Sequence, residues 1–127
     1  MKATGIAPCL GVADTTASVA FYESLGFEAV PGSDNPEDDI RMLTWQGNFA
    51  CMVYNADNLR QWLPQLANFP TGAFGMFYLS VKDHEAYTTK IRPLVNVIKE
   101  HTEHGMKLFY FQDPDGYIIG VSEEREW

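Results

Sequence analysis

The feature that most limits what this 127-residue chain can fold into is that its second half repeats its first. At an offset of 69 positions Leu10 falls on Leu79, Val12 on Val81, Asp14 on Asp83, Ala17 on Ala86, Leu25 on Leu94 and Gly47 on Gly116. Each half is then a supersecondary unit of the same kind, and local signals say which. A strand over 6–12 leads to a helix over 15–25, with Asp14 as its N-cap and Ala17, Phe21 and Leu25 recurring at helical spacing. Gly26 stops that helix, and short strands over 27–30, 40–45 and 49–54 follow it. The second half reproduces the order. A strand over 75–81 precedes a helix capped by Asp83 and ended by Pro93, then come a strand over 95–100 and a loop with His101 and His104. The closing hairpin pairs 106–112 with 117–123 around Asp113-Pro114-Asp115-Gly116, where Pro114 presets φ and Gly116 accepts a positive one. Between the halves, 58–66 reads as a short helix interrupted by Pro64.

The expected fold is α+β, two tandem β-α-β-β-β modules forming a cupped mixed sheet. Module 1 covers about 5–55, the linker about 56–73 and module 2 about 74–125. One helix cannot cover both faces of its sheet, so each module keeps a second face to line the cup. Strand alternation, carried between halves at the fixed offset, gives the helix Leu10, Val12, Ile40, Met42, Ala50 and Met52, with Leu79, Val81, Phe109, Phe111, Ile119 and Val121. The cup then receives Ala7, Cys9, Arg41, Leu43, Trp45, Phe49, Cys51 and Val53, with Met76, Tyr78, Ser80, Tyr110, Ile118, Gly120 and Ser122. Gly120 stands out, because a glycine inside a strand marks a bulge or a close approach to the backbone.

Charge narrows the partners. Nine basic against 17 acidic residues give a net charge of −8, which repels nucleic acid and draws in cations. No apolar run reaches the ~18 residues of a membrane span, and the first residues lack the apolar centre of a secretion signal, so a cytoplasmic protein without a membrane partner is expected. Cys9 and Cys51 fit no paired motif and read as reduced thiols. There is no glycine-rich phosphate loop and no nucleophile elbow. His84, His101 and His104 fall at a helix start and in a loop, where solvated side chains are expected.

The run Val12-Ala13-Asp14 to Phe21-Tyr22-Glu23-Ser24-Leu25-Gly26-Phe27, the repeat, and Asp113-Pro114-Asp115-Gly116-Tyr117 together resemble the vicinal oxygen chelate superfamily of glyoxalases, extradiol dioxygenases and bleomycin-resistance proteins. The resemblance covers nearly the whole chain and implies two modules around a cup, commonly in a homodimer. It also implies metal-ligand positions, which map onto Ala7, Cys51, Met76 and Gly120. Those residues offer one thiol where a divalent metal needs about four to six donors, so neither metal nor other cofactor is expected. The chain is closest in this respect to the bleomycin-resistance branch, which binds a compound without turning it over.

The resulting expectation is a metal-independent protein that sequesters a planar or aromatic, cationic small molecule, as in antibiotic resistance. A metal-independent or atypical enzyme of the superfamily is the alternative, and no catalytic residue is assigned. Ligand-binding residues are expected to be Arg41, Leu43, Trp45, Phe49, Cys51, Met76, Tyr78, Tyr110, Ile118 and Gly120, with Asp38 and Asp39 supplying negative charge at the rim.

Overall fold

Local sequence signals place the elements, and strand pairing then decides which side chains share a face. The computed structural model describes residues 5–30, 39–72 and 74–124, apart from the Glu103 side chain. The chain divides into two compact units that meet in sequence at Thr71 and Gly72. The first contains β1 (Cys9–Val12), α1 (Thr15–Ser24), β2 (Glu28–Ala29), β3 (Ile40–Trp45), β4 (Asn48–Asn55) and α2 (Ala56–Trp62). Its sheet runs β1-β4-β3-β2, with β1 parallel to β4 and the other pairs antiparallel. The second contains β5 (Met76–Val81), α3 (His84–Ile91), β6 (Asn96–Glu103), β7 (Met106–Gln112) and β8 (Ile118–Glu123). Its order β5-β8-β7-β6 repeats the same plan, again with one parallel pair. Both sheets are mixed, as the α+β expectation required. No described helix is long and apolar enough to cross a membrane.

Both helices begin where their caps predict. The Asp14 carboxylate accepts from the Ala17 N–H at 3.1 Å, and Asp83 accepts from Ala86 at 3.0 Å, each satisfying a first-turn donor that has no helical partner. Pro93 ends α3 in a single 3-10 turn, Arg92–Leu94. The buried stripe of α1 is Thr15, Ser18, Val19 and Tyr22, not the expected Ala17 and Phe21. Small Thr15 and Ser18 let the helix approach β3 and β4 closely, while Ala17 is exposed. The last hairpin turn depends on a residue the dipeptide rules pass over. Asp113 is buried, and its Oδ1 accepts from the N–H groups of Asp115 and Tyr117, both at 2.9 Å. Strand β6 runs past the expected end at residue 100, so His101 lies on a strand and only His104 occupies the turn, at φ 51°.

Register corrects half of the expected face assignment. Arg41 pairs with Val53, Val53 with Leu10, and Leu43 with Cys51, so these residues share one face, and all but Arg41 are buried. Arg41, Leu43, Cys51 and Val53 therefore lie on the helix side of the first sheet. Cys9, Met42 and Met52 form the other side. In the second unit the expectation holds: Phe109, Val121 and Leu79 line up on the buried face, and Tyr110, Gly120 and Tyr78 line up on its reverse. The cause is one residue. Leu10 and Leu79 keep the full offset, but Val53 and Val121, their strand partners, are one residue closer together. Side chains alternate with period two, so a single-residue slip turns the whole hairpin over.

Candidate functional site

The face of the second sheet away from Phe109 and Phe111 carries the densest group of expected site residues. Met76 and Tyr78 of β5 and Tyr110 of β7, the two strands that flank β8, converge above Gly120. A Cβ at Gly120 would lie 2.8 Å from Tyr78, 2.9 Å from Met76 and 2.9 Å from Tyr110, so any side chain there would displace all three. The Tyr78 and Tyr110 rings meet edge to face at 6.2 Å, with their hydroxyls 3.2 Å apart. Tyr78 remains 45% exposed, and Met76, Tyr110 and Ile118 are half-buried. Beside them Ser80 and Ser122 are strand partners whose hydroxyl oxygens are buried without a hydrogen-bond partner. The surface is thus aromatic and soft, with two unsatisfied hydroxyls at its margin.

The other expected residues are not brought to such a face. Leu43 and Cys51 are core residues of the first unit, and Arg41 shares their side with its Nε buried and unpartnered. Trp45 follows a bulge at Leu43/Thr44 and packs on the α1 side. Its ring lies 4.9 Å from that of buried Phe27, and a Cβ at Gly26 would be 3.1 Å from it. Phe49 is 41% exposed at the start of β4.

Asp39 is a structural residue instead of a free rim charge. Its carboxylate accepts from the Thr15 hydroxyl at 2.6 Å, and its backbone oxygen accepts from the Asn55 N–H at 3.2 Å. It holds these bonds at φ 53°, a left-handed conformation that Asp tolerates better than most residues. Asp38 lies outside the described residues.

The donor set does not suit a metal. The register moves the position equivalent to Gly120 from Cys51 to Met52, so the implied ligand positions hold Ala7, Met52, Met76 and Gly120. Two thioethers are the only donors in that set, and hard or borderline divalent ions select imidazole, carboxylate or thiolate. Among the described residues no group of three or more His, Cys, Asp and Glu could hold a metal. Neither thiol has the setting of a nucleophile. Cys51 is buried, and partial burial pushes the Cys9 thiol pKa up even though the residue keeps substantial exposure. His84 is not solvated as expected but 8% exposed, with Nε2–H donating to the Val121 carbonyl at 3.1 Å.

The model of the Glyoxalase/Bleomycin resistance protein/Dioxygenase superfamily matches residues 5–121. Among solved structures, hypothetical protein SA1046 from S. aureus is 19% identical at a TM-score of 0.77, covering 98% of this chain and 96% of its own. The fosfomycin resistance protein FosX from Listeria monocytogenes is 14% identical at a TM-score of 0.73, with 98% and 96% covered. A bleomycin-binding protein complexed with bleomycin is 15% identical at a TM-score of 0.66, with 97% and 100% covered. At these identities the likeness is one of fold. A search of curated protein sequences gave no match.

Proposed function

We propose that this chain, which belongs to the Glyoxalase/Bleomycin resistance protein/Dioxygenase superfamily, is a metal-independent binding protein that sequesters a planar aromatic, cationic small molecule. The observation that carries the reading is the convergence of Met76, Tyr78 and Tyr110 over Gly120. Where metal enzymes of the superfamily need a carboxylate, this chain has no side chain, and the space is taken by two phenol rings and a thioether. Aromatic faces attract organic cations by about 0.5 to 2 kcal/mol each, and the net charge of −8 raises the local concentration of such ligands. The raised pKa of Cys9 and the burial of Cys51 argue against a thiol enzyme. The reading includes a twofold homodimer acting in the cytoplasm as a resistance-type binder.

Calorimetric titration against matched cationic, neutral and anionic aromatic compounds tests it. The cation should bind tightest, and Tyr110→Ala should weaken that binding by roughly 1 to 3 kcal/mol. Elemental analysis should find far less than one transition metal per chain, and light scattering about twice the chain mass. Equal binding of the three analogues, a stoichiometric metal that survives dialysis, or turnover of a thiol-reactive substrate that is lost in Cys9→Ser would each overturn the reading.

A further inference from the structure

The second unit holds another recess, of about 280 Å³, between α3 and the β6–β7 hairpin. We propose that it binds a small zwitterion bearing one ammonium and one carboxylate, an amino acid in the simplest case. His84 forms part of its wall and is more than nine-tenths buried. A carbonyl oxygen can only accept, so the bond to Val121 fixes the neutral imidazole as the Nε2–H form, with a lone pair on Nδ1. That Nδ1 is buried and has no partner. A ligand that meets it must bring a donor, and an ammonium brings three and no acceptor.

The charges around the recess favour the same orientation. Glu85 adjoins His84 in the lining, so the acceptor end is also the acidic end. Glu100 spends both carboxylate oxygens on Arg92, at 2.7 and 2.9 Å, and the two charges compensate. Among the described residues that line the recess, what remains is one anion, Glu85, and one cation, Lys107, with His101 as a second imidazole. Lys107 pairs with Thr102 and lies two residues along β7 from Phe109, over whose ring Arg92 sits, so its backbone is about 7 Å from that level. A lone cation or anion would satisfy one end and leave the other unmatched, whereas a zwitterion satisfies both. The volume lies just below the usual range of about 300 to 1,000 Å³ for ligand pockets, which suits a molecule of amino-acid size.

Imidazole ¹⁵N spectra of the full chain, titrated with L-alanine and separately with methylammonium and acetate, test the proposal. L-alanine should give a saturable shift of the His84 Nδ1 resonance, and the singly charged probes should bind more weakly. Glu85→Gln and Lys107→Gln replace exposed residues and should leave the melting temperature unchanged while each weakens L-alanine binding about two- to fivefold. Tyr110→Ala, on the other face of the sheet, should leave this titration untouched. The proposal is overturned if L-alanine produces no saturable shift, if acetate or methylammonium matches it, or if both charge variants bind as the parent does.

Discussion

The two units share strand order and helix capping, yet they fill the space between helix and sheet from opposite sides. In the first, the bulk comes from the helix: Tyr22 is fully buried, edge-on to Phe21 at 5.4 Å and Phe27 at 5.3 Å, and the sheet answers with Leu43, Cys51 and Val53. In the second, the helix buries the smaller set of Ile91, Thr88 and the His84 ring, and the sheet supplies Phe109 and Phe111, with rings 6.3 Å apart. A repeated fold therefore conserves the volume between its layers and not the residue at each position, because interiors must reach close packing while either layer can provide the atoms. The reverse faces differ as well. Gly11 of the first sheet lies against Leu59 and Ala56 of α2, but the second sheet offers the tyrosine pair above Gly120. Met52 stands in the first unit where Gly120 stands in the second, and only the second has room for side chains from both neighbouring strands.

The largest test of this comparison is in the cores. Phe111→Ala should cost about 3 to 5 kcal/mol in urea unfolding, since it removes a fully buried ring. Moving bulk in the first unit to the second unit's side, with Tyr22→Ile plus Leu43→Phe, should cost less than the sum of the single changes, by about 0.5 to 3 kcal/mol of coupling. Strict additivity would mean that the layers do not compensate. Next comes Gly120→Ala, which forces a Cβ against two rings and a methyl group. It should cost about 1 to 3 kcal/mol and weaken the cationic ligand, whereas Met52→Leu should cost under about 1.5 kcal/mol.

The caps come third. Asp14→Ala and Asp83→Ala should each cost about 0.5 to 2 kcal/mol, nearly equally, because the two bonds have the same geometry. A large difference would show that one helix is held by its packing alone. The smallest effect belongs to the exposed pair of Arg92 and Glu100. The Arg92 hydrogen bonds hold the Glu100 carboxyl below its usual pKa, so the pair's stabilisation is present above the ordinary carboxylate value and fades as pH falls through the depressed one. Glu100→Gln should slightly flatten the acid side of the stability curve and leave its alkaline side unchanged.

Element order, both aspartate caps, the stop at Pro93 and the turn at Gly116 were legible in the chain, because each depends on the backbone preferences of a few adjacent residues. Met76, Tyr78, Tyr110 and Gly120 were legible as one face for a similar reason, since alternation along each strand is local once the register of the hairpin is right. The tertiary structure alone decided which face Leu43 and Cys51 occupy. The one-residue difference between the repeats falls between β1 and the hairpin, and a fixed offset passes over it. It also decided the position of Phe49, which pairs with Thr44 past a bulge in β4, and the bond from Thr15 to Asp39, which joins residues 24 apart. The burial of His84 rests on a carbonyl 37 residues away. Periodicity in a sequence records that a strand has two faces, but which of them is covered depends on the partner strand, and that partner is chosen only when the chain closes on itself.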